Sequence, residues 1–145
     1  MEPAPDSREG FATFDHTGDL GLEVWAGTPE RLFARAVLAV LAQVAEASGH
    51  SDEVDVRVEC RSSDPGDLLV DLCNAALLEA DVHQTIWTRA EVNWNGADHV
   101  AARLSGPRRD PRRQIFLREI KAVSHHALTL DLTPGRCRCR LVLDV

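Results

Sequence analysis

Leu20, Leu22 and Val24 alternate with Gly21, Glu23 and Trp25, and further along Val54, Val56, Val58 and Cys60 alternate with Asp55, Arg57 and Glu59. A period of two sends successive side chains to opposite faces, so both stretches read as strands with one buried and one wet side. Between them the period changes. Leu32, Phe33, Ala36, Val37, Val40, Leu41 and Val44 recur at helical spacing behind Thr28-Pro29, an N-cap followed by a proline whose missing N–H costs nothing in the first turn. This helix is expected to end near Ser48-Gly49, with glycine as the terminator. Ser63-Asp64-Pro65 repeats the cap-then-proline arrangement, and Leu68, Leu69, Leu72, Cys73, Ala76 and Leu77 form the stripe of a second helix reaching about Ala80.

The remaining apolar runs read as strands. They cover residues 11–14, then 86–94 and 99–104 around an Asn95-Gly96 turn, then 120–132 and 136–145 around Thr133-Pro134-Gly135. Two βα units followed by several strands predict an α+β fold, with two helices packed on a largely antiparallel β-sheet. Residues 1–10 hold two prolines and no apolar run and are expected to form a flexible N-terminal tail, with residues 11–145 as a single domain. Nothing matches a signal peptide or a bilayer-spanning run, so the expectation is a soluble, cytoplasmic protein with no membrane partner.

Charge changes this picture in one respect. The formal net charge of −7 divides into −13 over residues 1–102 and +6 over residues 103–145. Much of the basic share lies in Arg108-Arg109-Asp110-Pro111-Arg112-Arg113. Such a run suits phosphate or an acidic partner surface, but Pro107 and Pro111 also fit a plain solvated loop, and no aromatic residue is interleaved for base stacking. Cys60, Cys73, Cys137 and Cys139 sit inside apolar patterns and read as reduced core thiols. The Cys137-x-Cys139 pair lacks the matching second half of a zinc site.

The candidate chemistry is concentrated in Phe14-Asp15-His16-Thr17-Gly18-Asp19-Leu20-Gly21. If the strand ending in Asp144 and Val145 lies beside this turn, Asp19, Asp144 and the Val145 carboxylate make a cluster suited to a hard divalent cation, Ca²⁺ or the stricter Mg²⁺. The plainer reading has Asp19 bonding turn amides and Asp144 solvated. His16 beside Asp15 suggests a general acid/base pair, but no nucleophile completes it, and no hydrolase, phosphate-loop or dinucleotide motif is present. A turn histidine held by structural hydrogen bonds is the other reading. Lys121 is the one lysine, and His125 and His126, adjacent on a predicted strand, point to opposite faces.

The segment Asp15-His16-Thr17-Gly18-Asp19-Leu20-Gly21 resembles the signature of the archeases, which usually carry alanine where Gly18 stands. Thr28-Pro29-Glu30-Arg31-Leu32-Phe33, Leu68-Leu69-Val70, Lys121-Ala122-Val123-Ser124-His125-His126 and Leu143-Asp144-Val145 follow in the family's order, so the resemblance covers nearly the whole chain from Phe11. It implies a protein that is not itself an enzyme but activates an RtcB-type RNA ligase, promoting GTP-dependent guanylylation and multiple turnover in tRNA splicing or RNA repair. RNA would be met only indirectly, through the ligase. The resemblance also implies a divalent metal, Ca²⁺ first with Mg²⁺ or Mn²⁺ as alternatives, held by Asp19, Asp144 and Val145. Asp15, His16, Lys121 and His126 would support that site or touch the partner. Two readings compete with it: a general chaperone or RNA-binding module acting through the Arg108 to Arg113 loop, and a metal-dependent phosphoesterase built on Asp15, His16 and Asp19.

Overall fold

Both helices begin as their capping signals require. Thr28 Oγ1 accepts from the Arg31 amide at 3.2 Å ahead of Pro29, and Asp64 Oδ1 accepts from the Gly66 amide at 3.0 Å ahead of Pro65. Glu30 and Asp67 place a negative charge in each first turn, where the helix dipole favours it. The structure, a computed structural model, describes residues 8–47, 53–95 and 98–145. In chain order the elements are β1 (Gly10–His16), β2 (Asp19–Ala26), α1 (Pro29–Val44), β3 (Ala45–Ala47), β4 (Val54–Arg61), α2 (Pro65–Val82), β5 (Arg89–Trp94), β6 (His99–Gly106), β7 (Gln114–Phe116), β8 (Ala122–Asp131) and β9 (Cys137–Asp144).

Two helices accompany antiparallel strands, as the pattern predicts, and the strands divide between separate sheets. One runs β1-β2-β9-β8, a second β4-β6-β5, and β3 pairs with β7 alone. Each helix touches both larger sheets: α1 packs against β2 and β5, α2 against β8 and β4. That position explains why Arg31 is the one exposed residue of α1, a helix buried nearly all round rather than along a single stripe. The core is continuous, with Phe33 stacked on Trp94 at 5.7 Å and the Trp87 indole donating to the Ala76 carbonyl at 2.9 Å.

Three boundaries differ from expectation. Helix α1 stops at Val44, because Ala45 turns to an extended conformation and enters β3; Ser48 and Gly49 lie outside the described residues. Residues 86–88 are not strand: Ile86 and Trp87 are buried core, and β5 starts at Arg89. At the N-terminus, Gly10 already belongs to β1, and Glu9 is held by Arg31 and by Arg35, the latter at 2.6 Å. The rest of the expected tail, residues 1–7, is outside the described residues. All four cysteines are free thiols. Burial pushes the Cys73 thiol far up and the Cys139 thiol to about 12, which fits inert core positions. No helix among the described residues is long and apolar enough to cross a membrane.

Candidate functional site at the end of the four-stranded sheet

Strands β1 and β2 form a hairpin in which His16 pairs with Asp19, leaving Thr17 and Gly18 as the turn. Gly18 has φ +74°, a conformation open to glycine without a Cβ clash. The ladder between β2 and β9 starts at Leu20 and Leu143, both turned to the core, so Asp19 and Asp144 are the next residues outward on neighbouring strands and share the opposite face. Facing positions on adjacent strands bring Cβ atoms to about 4.5–5.5 Å. Across the sheet end the row reads His16, Asp19, Asp144 and Ala122.

The expected meeting of the hairpin turn with the last strand is therefore present. Val145 is exposed immediately beyond Asp144, and the Lys121 amide donates to the Asp144 carbonyl at 2.8 Å. His126 also comes to this end. Its ring centroid lies 6.2 Å from that of His16 in an edge-on arrangement, and it arrives by way of an irregularity in β8 between Ser124 and Thr129, with Ala127 at φ +57°. His125 leaves in the other direction, its Nδ1 3.1 Å from Asp67 on α2. Asp15 does not join the row. It pairs with Leu20, and alternation puts it on the face opposite Asp19 and His16.

Among the described residues the Asp19 and Asp144 carboxylates have no arginine or lysine partner, and the buried Nδ1 of His16 has no hydrogen-bond partner. Adjacent carboxylates without a counter-charge repel each other, and a hard cation with oxygen ligands would relieve that. The donor set thus fits a divalent ion in kind. It is short in number, since no group of three or more His, Cys, Asp or Glu side chains among the described residues could hold one. A bound ion would need further oxygen ligands beyond these two carboxylates. Cys137 and Cys139 take no part; they face the core opposite Ala26 and Val24.

One positioning residue carries no sequence signal. Asn74 on α2 donates to the Val123 carbonyl at 3.0 Å and accepts from the Val123 amide at 2.7 Å, fixing the start of β8 beside Asp144. Asn74 stands beside the stripe of Leu68, Leu69, Leu72, Cys73, Ala76 and Leu77, and nothing local names its partner.

Residues 11–145 match the model of the Archease protein family (MTH1598/TM1083). The chain belongs to this family. It is 27% identical to the protein archease of Methanosarcina mazei, over 97% of this chain and 99% of the relative, and 28% identical to that of Thermoplasma volcanium, over 88% and 95%. The archease fold is seen in two solved structures. Protein 1598 of Methanobacterium thermoautotrophicum superposes with a TM-score of 0.80 at 25% identity, covering 94% of this chain and 99% of that one. An archease from Thermotoga maritima, described as a possible chaperone, gives 0.63 at 18% identity over 91% and 94%, a likeness of fold alone. The carboxylates singled out from the archease signature, Asp19 and Asp144, are the two that the sheet brings side by side.

Proposed function

We propose that the chain activates an RtcB-type RNA ligase without catalysing ligation, and that its acidic sheet end is the part presented to the ligase. The observation that carries this reading is the adjacency of Asp19 and Asp144 on β2 and β9, two carboxylates with no cationic side chain of their own among the described residues. Family membership supports it. Asp19, Asp144 and the Val145 carboxylate would hold the divalent ion. Such an ion would supply positive charge that offsets these carboxylates and attracts the phosphates of a nucleotide. The chain's own residues set the geometry. The hairpin turn places Asp19, pairing with Lys121 and Ala122 holds Asp144, and Asn74 fixes β8 against α2.

The test mixes the purified chain with a cognate ligase, GTP and Mn²⁺ and follows ligase guanylylation and multiple-turnover RNA joining. Stimulation by the wild-type chain that falls at least about tenfold in Asp19→Asn supports the reading. Absence of stimulation, or full stimulation by Asp19→Asn, removes it.

A second reading, a chaperone for unfolded clients, has one observation in its favour. Leu78, Val82, Ile115 and Phe116 are 63–67% exposed, and Leu78 and Phe116 line one groove. The arginine loop does not carry it. Arg113 pairs with Asp110 at 3.2 Å and with Glu53 at 3.5 Å, Arg112 with Asp110 at 3.6 Å and Arg109 with Asp81 at 4.0 Å, so acids of the chain answer three of its four arginines. Suppression of client aggregation that is lost in Leu78→Asp/Phe116→Asp, with ligase stimulation unchanged, would favour this second reading.

A further inference from the structure

The face of the four-stranded sheet turned away from the helices carries more than the acidic row. Alternation assigns Leu20, Leu22, Val24 and Ala26 of β2 to the core, and with them Cys137, Cys139, Leu141 and Leu143 of β9. The outer face therefore carries Gly21, Glu23 and Trp25 beside Val142, Arg140 and Arg138, with Gly21 and Val142 buried beneath the larger side chains. Two aromatic rings lie there over cross-strand glycines. Phe14 covers its partner Gly21 so closely that a Cβ would stand 2.2 Å from the ring, and Trp25 covers its partner Gly10, where a Cβ would stand 3.1 Å away.

Basic groups flank both rings. The Arg140 guanidinium sits 4.1 Å from the Phe14 centroid, and Arg138 is the strand partner of Trp25. Arg8 and Arg136 join Trp25, Arg138 and Asp131 around a shallow groove of about 390 Å³. The sequence signal is the alternation Arg136-Cys137-Arg138-Cys139-Arg140, which in β9 turns Arg138 and Arg140 to one face and two thiols to the core, with Arg136 just ahead of the strand.

Structural roles account for parts of this face. An aromatic ring over a glycine shields the backbone of a strand pair, and Glu23 pairs with Arg138 at 3.2 Å. Neither accounts for Arg8, Arg136 and Arg138 gathered at Trp25 in a chain of formal charge −7, where Asp131 and Glu23 are the nearby acids. Three guanidinium groups against two carboxylates leave this groove a positive balance that an outside anion would offset. The Trp25 ring beside guanidinium groups on an antiparallel sheet suits one class of anion well. In a single-stranded nucleic acid the bases can stack and the phosphates can pair. A duplex keeps its bases inside and gains only the phosphate term.

We infer that the outer face around Trp25, Arg136 and Arg138, with Arg140 next along β9, binds single-stranded RNA. Asp19 lies six residues from Trp25 on β2, about 20 Å away, so the acidic row stands clear of this surface. Contact with RNA is then direct rather than only through a partner. The inference stands apart from ligase activation, since no residue of this surface belongs to the acidic row.

The test uses the full chain alone, titrated against a 5′-labelled single-stranded RNA of about 12 nucleotides and read by fluorescence anisotropy at about 50 and 200 mM salt. The same RNA annealed to its complement and vesicles containing phosphatidylserine serve as separate arms. Saturable binding to the single strand that weakens with salt is expected. It should fall about tenfold or more in Trp25→Ala and in Arg136→Ser/Arg138→Ser/Arg140→Ser, recover in Trp25→Phe, and stay unchanged in Arg112→Ser/Arg113→Ser. Circular dichroism confirms that each variant is folded, and Trp25→Phe separates loss of stacking from loss of structure. No binding by the wild type at low salt overturns the inference. So do equal affinity for duplex, binding indifferent to Trp25 and the three arginines, or the same sensitivity shown only by vesicles.

Discussion

The amide of Lys121 donates a 2.8 Å hydrogen bond to the carbonyl of Asp144, while Ala122 pairs with the same residue in the β8–β9 ladder. The acidic end of β9 is thus held by backbone on one side and stands beside β2 on the other. Its carboxylate position is set by the sheet, and a side-chain substitution there leaves the backbone intact.

That separation makes metal binding testable without the ligase. With Ca²⁺ or Mn²⁺ at about a hundred times the dissociation constant, the wild-type chain should gain about 2.7 kcal/mol, a rise in Tm of several degrees. Asp19→Asn and Asp144→Asn should show no rise. Asp15→Asn, on the other face, should keep it, and extending the chain past Val145 should reduce it. Thermal unfolding with and without each metal reads all of these.

Asn74→Ala removes both hydrogen bonds to Val123, a residue only 2% exposed. Leaving a buried amide and carbonyl without partners should cost about 2 kcal/mol in urea unfolding. Because β8 borders Asp144, the same variant should also weaken the metal-dependent rise in Tm, whereas Leu78→Ala on the same helix should not.

Two glycines should respond unequally to alanine. At Gly106 a Cβ would stand 2.0 Å from the Ile86 carbonyl oxygen, which is backbone and cannot yield without moving buried Trp87. At Gly21 it would meet the Phe14 ring, a side chain able to rotate away. Gly21→Ala should cost about 1–3 kcal/mol and release the stacking of Arg140 on Phe14. Gly106→Ala should cost more, measured by the same unfolding curves.

Glu9 is held by Arg31 and Arg35, and hydrogen bonding to Arg31 is the main cause that lowers its carboxyl from 4.5 to about 2. A lowered folded-state pKa stabilises fully above the unfolded value and is lost as pH falls toward the folded one. Wild type should therefore exceed Glu9→Gln by a constant margin above about pH 5, a margin that shrinks between 4.5 and about 2. Arg31 is half exposed, so solvent screening limits the margin to about 1 kcal/mol. Urea unfolding across that pH range measures it.

The elements legible in the sequence were those whose pattern is local. Thr28-Pro29 and Asp64-Pro65 mark their helices because capping involves neighbours in the chain. Asp19 and Asp144 stood out through the family signature, and the proximity of the two follows from strand order. What stayed hidden depends on distant partners. Ala45–Ala47 carries no strand pattern and becomes β3 only because β7 lies alongside, which is also why α1 ends before its glycine. Division into separate sheets was equally silent, since alternation shows which face of a strand is buried but not which sheet it joins. The basic loop drew attention by composition, yet Glu53, 60 positions from Arg113, helps neutralise it, and no local reading connects them.

Strand β9 lies inside its sheet, between β2 and β8, although it is the last element of the fold in sequence. During synthesis the β1–β2 hairpin and β8 therefore wait, with open edges and an uncovered share of the core, until residues 137–144 clear the ribosome. A product cut short before Cys137 would lack the strand that joins them, together with Asp144 and the alternating arginines. Closing the sheet and bringing Asp144 beside Asp19 are then one event, and neither happens before the other.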